Sequence, residues 1–107
     1  SPHVTVTGPL TALPAAVEVA AYRIVSEAVA NAIRHSGGSR CEVVLRADPE
    51  VLRIEVCDGS GLPADAEPHV GLLSMRERAE ELGGRLIVDS RPGRTSITAT
   101  IPLTVKP

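Results

Sequence analysis

The stretch PAAVEVAAYRIVSEAVANAIRHSGG, residues 14–38, decides how the rest of the chain is read. Pro14 stands where a helix start favours proline, and apolar residues then recur at helical spacing: Val17, Ala20, Ala21, Ile24, Val25, Ala28, Val29, Ala32 and Ile33. The spacing predicts a helix over 15–35, ended by Gly37 and Gly38. Glu27 and Asn31, four residues apart, interrupt the apolar pattern on one face, with Arg34 and His35 a further turn along. A carboxamide oxygen is a hard donor suited to Mg²⁺, and a carboxylate beside it can orient or deprotonate an attacking group. Taken as a lone Glu/Asn pair, the same residues fit a solvated helix stripe.

Outward from this helix, residues 3–7 alternate as a short strand, and residues 40–46 and 51–57 are strand formers flanking the turn signal Asp48-Pro49. Glycine and proline breakers between Asp58 and Val70 predict an irregular loop of about a dozen residues, long enough to suggest a lid or a binding loop. A second, amphipathic helix is expected over 72–82, with Ser74 and Glu77 in capping-box register and Gly83-Gly84 as its stop. Residues 85–89 and 96–101 form a closing hairpin around Arg91-Pro92-Gly93-Arg94. Paired strands with interspersed helices predict a mixed sheet covered on one face by helices.

The length, 107 residues, fits one domain over 1–107, and 43% apolar with 22% charged residues is ordinary globular composition. With no Trp or Phe and one Tyr, the core must be built from Ala, Val, Ile and Leu. A net charge of −2 without basic runs argues against nucleic acid or an anionic membrane as partner. No apolar run approaches the roughly 20 residues of a membrane span, so the expectation is a soluble, cytoplasmic fragment. Cys41 and Cys57 have no Cys or His at ligand spacing and read as two buried strand thiols.

Two further segments carry chemistry. Asp58 follows a strand and precedes Gly59-Ser60-Gly61: a carboxylate there can accept from the exocyclic amine of adenine while glycines let the backbone approach, although Asp-Gly-Ser-Gly alone also fits a plain turn. Gly71 opens the second helix, whose free amides and dipole suit a phosphate. There is no Gly-Lys-Ser/Thr phosphate loop and no dinucleotide fingerprint. Arg76, Glu77 and Arg78 read as a solvated face, and His3 and His69 receive no role.

Together these residues resemble the ATPase superfamily shared by sensor histidine kinases, type II topoisomerases, heat-shock 90 chaperones and mismatch-repair MutL proteins. The similarity runs from about Ala15 to Leu103. Tyr22 to Ala28 with Asn31 to His35 looks like the family's asparagine box. Gly71 to Ala79 with Leu82-Gly83-Gly84 is similar to the nitrate-sensor and desaturase-sensor subgroup of histidine kinases. The resemblance implies an α+β, two-layer sandwich of the Bergerat type, its mixed, mainly antiparallel sheet covered on one face by helices, with Mg²⁺ and ATP as cofactors. Carried over by position, Asn31 holds Mg²⁺, Glu27 assists transfer, Asp58 reads adenine, and Gly71 with Leu72 closes a lid near the phosphates. Thr95 matches the last glycine box, and Arg34, His35, Gly59, Gly61 and Met75 complete the implied nucleotide-binding set.

Both glycine boxes are one residue shorter than the family's pattern, which leaves Cys57 as an alternative occupant of the aspartate slot. A degenerate, non-catalytic interaction module is therefore one alternative function. An anti-sigma-factor type of serine kinase is another, disfavoured by the Gly71 to Gly84 segment. The leading expectation is the catalytic module of a two-component kinase, transferring the γ-phosphoryl of ATP to a histidine. Its implied partners are the dimerisation and phosphoacceptor helices of the same kinase and a response regulator. The fragment would be a monomer without autokinase activity of its own, and the intact kinase a homodimer, anchored in the inner membrane or free of it.

Overall fold

Among the described residues seven elements follow one another: β1 (His3–Thr7), α1 (Ala15–Ser36), β2 (Cys41–Ala47), β3 (Val51–Asp58), α2 (Val70–Glu81), β4 (Arg85–Arg91) and β5 (Arg94–Pro102). The computed structural model describes residues 3–7, 13–36, 41–59 and 70–103. The strands form one sheet in the order β1-β2-β3-β5-β4. β1 pairs with β2 in parallel, the crossover running through α1, and every other pairing is antiparallel. The architecture is thus the expected α+β arrangement.

Period-two alternation fixes which strand residues face the helices. On β3 these are Leu52, Ile54 and Val56, and on β5 Ile97, Ala99 and Ile101, all buried. Against them lie Val17, Ala20, Ile24, Ala28 and Ala32 of α1 and Met75 and Ala79 of α2. Both helices press on the same sheet face, and the aliphatic core forms between the layers.

Local chemistry closes the turns. Asp48 accepts from the amides of Glu50 and Val51 at 2.7 and 2.8 Å, building the β2–β3 turn around Pro49. Pro92 and Gly93, the latter at φ +79°, make a two-residue turn from Arg91 to its partner Arg94. The shortened last glycine box is therefore a tight hairpin. α2 ends with Gly83 at φ +79° donating to the Glu80 carbonyl and Gly84 donating to the Ala79 carbonyl at 2.8 Å. A Cβ on Gly84 would lie 2.1 Å from the Thr100 carbonyl oxygen, so the backbones meet here without room for a side chain.

Two sequence expectations change. α2 begins at Val70 and not at residue 72, so Ser74 and Glu77 sit inside the helix and cannot form its capping box. Cys57 is half-buried on the helix-free face of the sheet, so only Cys41 is the expected buried thiol. The end of the first helix at Gly37-Gly38 and most of the proposed lid lie outside the described residues.

Candidate functional site

Three strands change chemistry at the same end of the sheet. Along the helix-facing side, β3 runs Leu52, Ile54, Val56 and then Asp58; β5 read backwards runs Ile101, Ala99, Ile97 and then Thr95; β4 runs Leu86, Val88 and then Ser90. The pairing register aligns the last member of each: Cys41 opposite Asp58, Asp58 opposite Thr95, and Thr95 opposite Ser90. Cross-strand partners in register lie on the same face, so Cys41, Asp58, Thr95 and Ser90 form one row across four strands. Thr95 is 4% exposed, and its Oγ1 lies 3.5 Å from Ser90 Oγ. Burial and then the neighbouring Asp58 charge push the Cys41 thiol above its ordinary pKa.

The helices bring their own polar groups to this end. α1 finishes at Ser36, and five Cα steps, at most about 18 Å of chain, carry it to Cys41 in the row. The C-terminal part of α1, bearing Glu27 and Asn31, therefore lies toward the polar end. α2 runs the other way: it exits through Gly83-Gly84 into Arg85, which pairs with Thr100 at the far, apolar end. A surface groove lined by Ala15, Ala16, Val19, Ala20, Arg78, Glu81 and Leu82 shows the start of α1 beside the end of α2. The two helices are antiparallel, so the N-terminal turn of α2, with Gly71 and Leu72, points to the polar end too.

On α1 the buried stripe Val17, Ala20, Ile24, Ala28 continues into Asn31, 7% exposed, with Glu27 half-buried beside it. Asn31 is thus no solvated stripe residue. Arg34 and His35 occupy the last turn of α1, Gly71 and Leu72 the first turn of α2, and Gly59 an exposed bend after β3. Met75, 1% exposed, lies in the hydrophobic core. Gly61 falls outside the described residues. Cys57 points away from the row, its Sγ 3.8 Å from Glu55 Oε1 and 3.9 Å from Arg94 Nη2. Sequence reading passed over Ser90 and the placement of Cys41 because both depend on register across strands far apart in the chain.

A buried carboxamide at a helix end, a carboxylate and hydroxyls at strand ends, and a helix N-terminus converging on one end match a nucleotide site. The model of the histidine kinase-, DNA gyrase B- and HSP90-like ATPases matches residues 16–105. The chain belongs to this family. It is accordingly an ATP-using domain of the histidine-kinase ATPase type, with the fold of histidine-kinase catalytic domains. The sensor histidine kinase LiaS of Bacillus subtilis is 40% identical over 97 residues, 87% of this chain but 27% of that protein. The chain thus spans about a quarter of that relative.

Solved structures agree. The blue-light activated histidine kinase of Erythrobacter litoralis EL346 superposes with a TM-score of 0.77 at 26% identity, over 95% of this chain and 38% of that one. The catalytic domain of the histidine kinase ThkA gives 0.73 over 98% of this chain and 82% of that one, and at 16% identity bears on the fold alone. No described helix is long and apolar enough to cross a membrane.

Proposed function

We propose that this chain is the catalytic domain of a two-component sensor histidine kinase, which binds Mg-ATP and presents its γ-phosphoryl to a histidine on separate dimerisation helices. The observation that carries this is the single polar row at the end of the sheet where Asn31 and the N-terminus of α2 also arrive. In this reading Asp58 accepts from the adenine amine and Thr95 supports it. Parity favours Asp58 over Cys57: Asp58 shares the helix-facing side with Val56 and Ile54, whereas Cys57 lies on the opposite face with Glu55.

Asn31 carries a hard carboxamide oxygen on the buried stripe of α1 and would hold a Mg²⁺ ion there. Among the described residues no group of three or more His, Cys, Asp or Glu could hold a metal. Bound there, the ion would supply charge neutralisation for the phosphates. Glu27, one turn before Asn31, would accept a proton from the attacking imidazole or orient it. Gly71 and Leu72 contribute free amides and the positive end of α2 toward phosphate. Arg34, His35, Gly59 and Gly61 border the nucleotide, and Met75 supports the first turns of α2 from the core. The chain's own work is positioning, with no covalent intermediate.

The partners in this reading are the phosphoacceptor helices and a response regulator, and the compartment is the cytoplasm. Titration calorimetry with a non-hydrolysable ATP analogue and Mg²⁺ tests it: saturable binding is expected, and none at millimolar nucleotide overturns it.

A further inference from the structure

We propose that Ser90 is a positioning residue for base recognition, fixing the Thr95 hydroxyl so that Thr95 in turn orients the Asp58 carboxylate toward an exocyclic amine. The inference rests on the assignment of Asp58 to adenine given above. Ser90 and Thr95 are register partners on the β4–β5 ladder, and Thr95 and Asp58 are register partners on the β5–β3 ladder, all on the helix-facing side. The Ser90 and Thr95 hydroxyls stand 3.5 Å apart, a gap that a small χ1 rotation closes into an ordinary hydroxyl hydrogen bond.

A threonine hydroxyl carries one proton and two lone pairs. When Ser90 donates to Thr95, the Thr95 proton is released for the strand on its other side, where Asp58 is its partner. Accepting from Thr95 then fixes the orientation from which the Asp58 carboxylate accepts from the base. Proton directions run one way along the row, from the sheet edge inward. The residues flanking Ser90 on β4 take no part in this relay, because Asp89 and Arg91 lie on the opposite face and pair with each other at 3.4 Å. β4 is the edge strand, so Ser90 is exposed while Thr95 is buried, which places the start of the relay at the solvent side of the row.

The test compares ATP with inosine triphosphate, which carries a carbonyl where adenine carries its amine, on the whole chain by calorimetry. Wild-type protein is expected to favour ATP. Ser90→Ala is expected to weaken ATP about fivefold, to leave inosine triphosphate unchanged, and so to shrink the preference by the same factor at an unchanged melting temperature. Ser90→Thr, which keeps the hydroxyl, restores it. Equal weakening of both nucleotides, or an unaltered preference, overturns the inference while leaving the assignment of Asp58 intact. A wild-type protein that binds both nucleotides equally removes the Asp58 assignment and this inference together, and one that binds neither removes the proposed function itself.

Discussion

At the end of the sheet where α2 turns into β4, the helix-facing positions are Leu52, Leu86, Ala99 and Ile101; at the other end the same parity holds Asp58, Thr95 and Ser90. The backbone ladder is continuous from one end to the other. α1 carries an echo of the pattern, since Glu27 and Asn31 join the buried stripe of Val17, Ala20, Ile24, Ala28 and Ala32 only in its C-terminal half. One sheet thus has two ends of different chemistry: the apolar end supplies burial at about 25 cal/mol per Å², and the other end buries polar groups such as Thr95 and Asn31, where the proposed site lies. Substitutions at the two ends should therefore separate stability from affinity.

The largest effect is expected at the apolar end. Gly84→Ala forces a Cβ to within 2.1 Å of the Thr100 carbonyl oxygen and 3.1 Å of that of Ala79, backbone atoms that cannot step aside singly. A loss of about 3 kcal/mol is expected in chemical denaturation. The fraction that remains folded should bind nucleotide with unchanged affinity, since the row lies at the other end of β4 and β5. A Gly84→Ala protein as stable as wild type would show that the helix and sheet do not meet as described.

Asp58→Asn reverses the balance. Asp58 is at the strand end and only half-buried, so the stability change should stay below about 1 kcal/mol. Replacing a charged acceptor by an amide should weaken adenine nucleotides by roughly 10- to 100-fold, read by calorimetry, while inorganic triphosphate competes as before. Retained ATP affinity would break the division between the ends. Asn31→Ala lies between the two cases, because Asn31 is buried and is also the proposed Mg²⁺ ligand. About tenfold weaker nucleotide binding is expected in Mg²⁺, and no change in EDTA. Equal weakening in both would assign Asn31 to packing.

Much of this division was legible in the chain. The 3.6-residue stripe that marks α1 also exposes Glu27 and Asn31 as intruders, and the strand formers of β3 run straight into Asp58. Local patterns suffice when every partner in an inference lies within a few residues. Register is different, because it is set by pairings such as Cys57 with Ser96, 39 positions apart, and no short-range signal encodes them. Ser90 could not be singled out before β4 and β5 were aligned. The capping box failed for a related reason: α2 begins two residues earlier, at Val70, and Ser74 then lies too deep in the helix to cap it.

The smallest expected effect probes the most local distinction, that between two adjacent residues of one strand. Cys57 and Asp58 compete for the same slot when the glycines are aligned by sequence, but a β-strand sends neighbours to opposite faces. Cys57 shares its side with Glu55 and Arg94, where neither helix packs. Cys57→Ser should change ATP affinity less than about twofold, and Cys57 should react with a thiol reagent equally fast with and without saturating nucleotide. Cys41, buried beside Asp58 and with its thiol held above the ordinary pKa, should react slowly at about pH 8, because little of it is thiolate and the reagent must reach a buried sulfur. If Cys57→Ser abolished binding while Asp58→Asn left it intact, the base would have to lie on the helix-free face, and the polar row would lose its purpose.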